Sequence, residues 1–384
     1  MKKALQQYYI VLMAGLIVLP VLLFALFGRF LDTQNYENRT LAQMPSLTGE
    51  ERVSIEEYPS AFEEWFNENL PFRNQLITLN GLFDYYVLKT SSSKSVIVGK
   101  EGWLFYKGAQ VNDEDPVSDY NGSNLFTQEE LETIRTNMVT ARDELAAQGK
   151  EFIIFIAPNK ERVYSEYMPG SYGEMAEHGR MRQVIDYLRE TTDLQVVCPY
   201  DTLMEYKKNH PDTPVYYRFD THWNYLGAYI GARELNFAFG YFLPGPDDTT
   251  WEYGDAPSGD LARLIHLEKI LKDPDAFYVK DYTNYAMTED VNALGNEFRF
   301  HNIYESGDPR KLFIIGDSFS AVMAKFACCQ FNDSYVNFYY NYNHMMLLQE
   351  NPDIVVYETV ERYMKNMLDF SLEDGIGAKQ PEEL

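Results

Sequence analysis

The tripeptide Gly316-Asp317-Ser318 follows the run Lys311-Leu312-Phe313-Ile314-Ile315. A short β-branched and aromatic run ended by glycine predicts a buried strand turning sharply. A serine there sits at a strand's carboxyl end, where open α/β sheets bind ligands. About a hundred residues earlier, Phe219-Asp220-Thr221-His222-Trp223-Asn224 places an acid two residues before a histidine. Serine, histidine and aspartate are the set that turns a hydroxyl into a nucleophile at neutral pH. In an extended segment Asp220 and His222 would share one face, so the carboxylate could orient the imidazole. Each motif alone also reads as a helix-capping turn, Asp220 before a helix near Asn224, and Asp317 or Ser318 before another. Their joint presence at element boundaries favours nucleophilic catalysis.

Other residues carry less. Asn159 and Lys160 follow the apolar run 151–157 and Pro158, on the rim where such a site would lie. An amide or ammonium there could bind an oxyanion or a carbonyl oxygen, or simply belong to a turn. Arg299 is a further candidate for substrate contact. His178, His210, His266, His301 and His344 have no titratable partner at useful spacing. Cys198, Cys328 and Cys329 are an odd number with no CxxC or Cys/His pattern, so neither a disulfide framework nor a metal site is expected. No cofactor motif is evident.

The elements that must position these residues alternate. Val96–Val98 and Gly102–Tyr106 predict a hairpin; Thr127-Gln128-Glu129-Glu130 is a capping box opening a helix to about Gln148, closed by Gly149. Strands are expected at 151–157, 194–198, 311–315, 335–340 and 353–357, with helices at 180–191 and 225–239. This alternation predicts an α/β fold with a doubly wound, mostly parallel sheet. The catalytic domain is expected over 94–366. Residues 31–93 form a connecting region with two short amphipathic helices flanking Pro71, and 367–384 an acidic tail.

Residues 1–30 read differently. Lys2 and Lys3 are followed by no charge until Arg29, and Tyr8–Phe27 is almost wholly apolar. A helix of ~20 residues is ~30 Å long and matches a bilayer core. The reading is an uncleaved signal anchor with the chain after Arg29 outside the cytoplasm; a cleaved signal peptide is the alternative. Lys+Arg 33 against Asp+Glu 58 leaves a net charge of −25, which disfavours nucleic acid as a partner. Tyr 30 and Phe 24 are high counts; aromatic faces suit sugar rings, though they also fill cores.

The chain resembles the AlgX/AlgJ-like family of SGNH-hydrolase-like proteins, also called the DHHW family, which O-acetylate extracellular polysaccharides. The resemblance rests on Glu37–Ala42, Val98–Tyr106, Pro158–Lys160, Asp220–Asn224 with Gly227-Ala228, Gly316–Ser320, Pro352–Val356 and Glu361–Tyr363. It implies Ser318 as nucleophile, His222 as general base and Asp220 as its partner, in the family's order of acid and histidine before serine. It also implies an SGNH-like α/β/α sandwich, a polysaccharide acceptor and a membrane-bound O-acyltransferase partner supplying acetyl. The charge of −25 would repel a polyuronate, so a neutral or amino-sugar glycan fits better than alginate. Two alternatives stay open: an acetylesterase with the same triad, and a non-catalytic glycan-binding scaffold of an export complex.

Overall fold

The computed structural model describes residues 2–27, 42–49, 52–69, 72–108, 115–249, 251–254, 256, 258–273, 276–279, 286–288, 300–303 and 307–376. They fall into two compact units divided between Leu88 and Lys89. In the first, Lys2–Phe27 is one α-helix. Among the described residues no helix is long and apolar enough to cross a membrane, so the anchor reading rests on the sequence. The two expected short helices form at Tyr58–Glu68 and Arg73–Phe83. Pro59 sits in the first turn of the former, where a missing N–H costs nothing.

The second unit begins with the expected hairpin, β1 (Val96–Val98) and β2 (Leu104–Tyr106). Its centre is built from β3 (Glu151–Ala157) and β4 (Gln195–Val197), a separate antiparallel pair β5 (Trp251–Gly254) and β6 (Ala276–Val279), then β7 (Ala286–Thr288), β8 (Phe300–Ile303), β9 (Asp308–Gly316), β10 (Phe331–Phe338) and β11 (Ile354–Val360). The main sheet has the order β4-β3-β11-β9-β10-β8-β7. The first five strands are parallel. β8 and β7 extend the edge antiparallel. The fold is thus an α/β arrangement around a mostly parallel sheet, with an antiparallel edge that the sequence pattern did not reveal.

Alternation along the central strands shows why they read as unbroken apolar runs. Ile153, Phe155, Ala157, Leu312 and Ile314 belong to one buried cluster, with Phe319, Leu226 and Ile230 from the helices above and Trp223 from the loop before one of them. Phe152, Ile154, Ile156, Phe313 and Ile315 belong to the other, with Leu131, Ile134, Met138, Val184 and Leu188 below. Both faces are covered, as parallel sheets require. The lower face is closed by the helix Gln128–Ala146, whose Thr127–Glu130 capping box is formed, and by the helix Arg180–Thr191. Tyr225–Ala238 and Ser318–Ala327 pack on the upper face.

One expectation needs correcting at the carboxyl end. The stretch 367–384, expected as an acidic tail, is packed in its first part: Met367, Phe370, Leu372 and Ile376 are buried in the lower cluster. Apolar residues spaced through an acidic stretch anchor it despite its composition. The tail beyond residue 376, and Arg299, lie outside the described residues.

Candidate active site

Ser318 and His222 come from segments whose meeting is fixed by core packing. Asp317 follows β9 and caps the helix Ser318–Ala327, its Oδ1 accepting from the Phe319 N–H at 2.8 Å. Its Oδ2 accepts from the Val360 N–H at 2.7 Å. The capping role thus falls to Asp317, and the Ser318 hydroxyl remains available. Gly316 is required by close approach: a Cβ there would stand 2.5 Å from Glu358 Oε2 and 2.6 Å from Ser320 Oγ. Glu358 is fully buried and accepts the Asp317 N–H at 2.8 Å. Burial, then the neighbouring Asp317, push its carboxyl well above the usual range.

The histidine segment is tied to that helix by Trp223. Its indole is buried and donates to the Phe319 carbonyl at 3.2 Å. The His222 ring packs 5.1 Å from the Phe319 ring. The result brings together the three residues singled out from sequence. His222 Nε2 lies 2.7 Å from Ser318 Oγ, and Nδ1 lies 2.7 Å from Asp220 Oδ1. With Nδ1–H donating to the carboxylate, Nε2 is the acceptor for the serine hydroxyl.

The local geometry differs from the extended segment expected. Asp220 Oδ1 also accepts the His222 N–H at 2.9 Å, an Asx turn that folds acid and imidazole onto one another. An antiparallel bridge between Tyr216 and Trp223 closes the turn, with the Tyr217 N–H donating to the His222 carbonyl at 3.2 Å, and charged side chains from distant segments hold its tip. Asp273 accepts the N–H groups of Arg218 and Phe219 at 2.5 and 3.0 Å. Asp260 accepts the Thr221 N–H at 2.8 Å and its hydroxyl at 2.5 Å. Neither was found from sequence, because an acid 40 to 53 positions downstream in a polar stretch leaves no periodic signal. The helix following the turn is capped by Asn224, whose side chain accepts the Gly227 N–H.

Lys160 and Asn159 are placed otherwise than expected. Lys160 is fully buried, and its ammonium donates to the carbonyls of Leu104, Arg218 and Asp220 at 2.5, 2.9 and 2.8 Å. All three donors are committed to backbone, so the residue clamps the acid's loop and has none left for an oxyanion. Burial pulls the ammonium down to about 8, against the pull of nearby acids. The Asn159 amide donates to Asp119 Oδ2 at 3.3 Å and accepts the Arg362 N–H at 3.2 Å. It bridges strand ends. Lys160→Met should therefore lower stability by about 3 kcal/mol, since buried carbonyls lose charge-assisted bonds. Turnover should fall with little change in KM, measured by denaturant titration and by kinetics on an acetyl ester.

Burial alone would raise the Asp220 carboxyl, but the His222 charge and three N–H bonds hold it below the usual carboxylate range. Burial pulls His222 down, and the Asp220 charge outweighs it, so the imidazole is more basic than a free one. Asp220, His222 and Asp260 each offer a donor atom within 4.8 Å of one another. The facing Nδ1 is already bonded to Asp220, so a cation would have to break the bond that orients the ring. The arrangement can deprotonate a serine hydroxyl and return the proton to a leaving group.

Residues 96–336 match the family described as SGNH hydrolase-like domain, acetyltransferase AlgX. A probable alginate O-acetylase AlgJ of Pseudomonas syringae pv. tomato is 24% identical over 233 residues, covering 59% of this chain and 56% of that protein. The AlgJ of Pseudomonas putida, with the same description, is 29% identical over 185 residues, covering 46% and 44%. The chain thus spans about half the length of these curated relatives. The solved structure of Bacillus cereus PatB1 superposes with a TM-score of 0.52 at 14% identity, covering 71% of this chain and 98% of that one. That likeness concerns the fold.

Proposed function

Because this chain belongs to the SGNH hydrolase-like family described by the acetyltransferase AlgX, we propose that it is an extracytoplasmic O-acetyltransferase acting on a cell-envelope or exported polysaccharide. The observation that carries the reading is the line from Ser318 Oγ through His222 to Asp220, with both contacts at 2.7 Å. His222 takes the hydroxyl proton as Ser318 Oγ attacks the acetyl carbonyl. The donor's leaving group departs with that proton, and an acetyl-serine remains. A sugar hydroxyl then attacks, giving its proton to His222, and the collapse returns Ser318 Oγ–H. The Ser318 N–H opens a helix, where the first donors lack intrahelical partners, and it is the donor we assign to the oxyanion.

Acetyl would be handed over by a membrane-bound O-acyltransferase, and the apolar Lys2–Phe27 helix would hold the chain at the membrane. A net charge of −25 favours a neutral or amino-sugar acceptor over a polyuronate. The relatives' description as alginate O-acetylases leaves alginate the competing acceptor. The His222 side chain is 22% exposed, which also admits water as acceptor and favours an acetylesterase as the second reading. Incubation with a chromogenic acetyl ester, with and without neutral, amino-sugar and uronate oligosaccharides, tests both. The account expects acetylated neutral or amino-sugar product by mass spectrometry. Ester cleavage with free acetate as the sole product would leave the esterase, and no cleavage would remove both.

A further inference from the structure

Asp260 stands beside the imidazole yet has no part in the three-residue relay. We propose that Asp260 is a second carboxylate of the relay, a positioning residue that clamps the Asp220-Thr221-His222 turn and adds its charge to that of Asp220 beside the imidazole. The inference rests on the Ser318–His222–Asp220 reading of the site.

Three contacts carry it. The Asp260 N–H donates to Asp220 Oδ2 at 2.9 Å, while Asp220 Oδ1 faces His222 Nδ1. Both oxygens of the acid are thereby fixed, and its plane cannot rotate away from the ring. The Asp260 carboxylate takes both donors of Thr221, and the Thr221 hydroxyl lies 3.3 Å from His222 Nδ1. Finally, Asp260 Oδ2 itself is 3.8 Å from Nδ1.

The approach of this segment is built into the fold. Asp260 opens the helix Asp260–Leu264, whose Ala262 N–H donates to the Phe219 carbonyl at 3.1 Å. The preceding Gly259 passes so close that a Cβ would stand 2.3 Å from that carbonyl oxygen. Any other residue there would push Asp260 off the turn.

Holding the Thr221 N–H needs only an acceptor oxygen, which a neutral Asn would also supply. A carboxylate beside Asp220 instead incurs like-charge repulsion, and burial followed by the Asp220 charge pushes Asp260 upward. What offsets this is a cation, and His222 becomes one each time it accepts the serine proton. The groups acting on His222 are Asp220 in its own turn, Asp260 from the neighbouring helix, Asp317 at the nucleophile turn, and Arg362 after β11, which opposes them. Lys160, whose ammonium bonds the Asp220 carbonyl, is within charge reach of Asp273, Glu161, Asp220 and Asp260. Two carboxylates against one imidazolium favour the protonated ring in the transition state.

The test is an NMR titration of His222 in the full chain carrying ring-labelled histidine. It is paired with the pH profile of kcat/KM on an acetyl ester. In Asp260→Asn the His222 pKa should fall by roughly 0.5 to 1 unit, and the acid limb should move down with it. Asp260→Glu should keep the pKa raised and recover activity relative to Asp260→Asn, which also covers the case where the Asn variant folds poorly. Thr221→Val, which removes the bridging hydroxyl and no charge, should leave the pKa in place. An unmoved His222 pKa in folded Asp260→Asn, or an equal fall in Thr221→Val, overturns the proposal. If the parent cleaves no ester, the acyl-transfer reading fails by itself, while the titration still reports on Asp260.

Discussion

Ser318→Ala is expected to abolish acetyl transfer, by about 10⁴- to 10⁶-fold, while the protein stays folded. The size of the loss follows from the covalent role: without Oγ no acyl-enzyme forms, and what remains is binding and the oxyanion donor. The fold survives because Asp317, not Ser318, caps the helix and ties it to Val360. The hydroxyl's partner is His222, at 2.7 Å, and a partly exposed imidazole can turn to water. Stability should therefore change by less than about 1 kcal/mol. Asp220→Ala should cost less activity than Ser318→Ala, since the acid orients the ring and never carries the acyl group. Rates of acetyl-ester cleavage and of oligosaccharide acetylation, beside thermal melting, check both expectations.

The largest effect on stability is expected at Glu361, one residue beyond the end of β11. Its carboxylate is fully buried and takes the Arg162 guanidinium at 2.6 Å and the Asn159 N–H at 3.0 Å. Arg162 is buried as well and donates further to the Asp119 and Ala176 carbonyls. Glu361→Ala leaves that guanidinium without its main counter-charge in a dry interior, a loss of about 3–5 kcal/mol. Asn159 precedes Lys160, so the loop clamp on Asp220 loosens too, and turnover should fall alongside stability. Replacing both partners by methionine removes the stranded charge. The double variant Glu361→Met/Arg162→Met should then be more stable than Glu361→Ala in denaturant titrations. Equal stability of Glu361→Ala and the parent would show that the pair carries little.

What the sequence made legible was what is encoded locally. The capping box at Thr127–Glu130 and the apolar runs at 151–157, 311–315 and 353–357 specify their elements by short-range chemistry, and all appear in the fold. Ser318, His222 and Asp220 could be paired because each lies at a boundary with the residue types that acyl chemistry needs. What stayed hidden depends on long-range contact. Asp260 reaches the turn only because Gly259 lets two backbones touch. Lys160 looked like a ligand-facing residue at a strand end, and its ammonium goes to three carbonyls instead. Nor could the pairing of β8 with β10 be read locally, since β8 is four residues long and its register is set by its neighbour.

The central claim is a covalent acetyl-enzyme on Ser318, and peptide-level mass spectrometry tests it most directly. The protein is mixed with an activated acetyl ester, quenched in acid within the first turnovers, digested and sequenced by fragmentation. The account predicts one added acetyl group on the peptide carrying Gly316-Asp317-Ser318, localised to Ser318 and absent in Ser318→Ala. It should disappear when an oligosaccharide acceptor is added, with the acetyl recovered on the sugar. Acetyl transfer to sugar that proceeds in Ser318→Ala, or a label that settles on another residue and chases to product, would contradict the account.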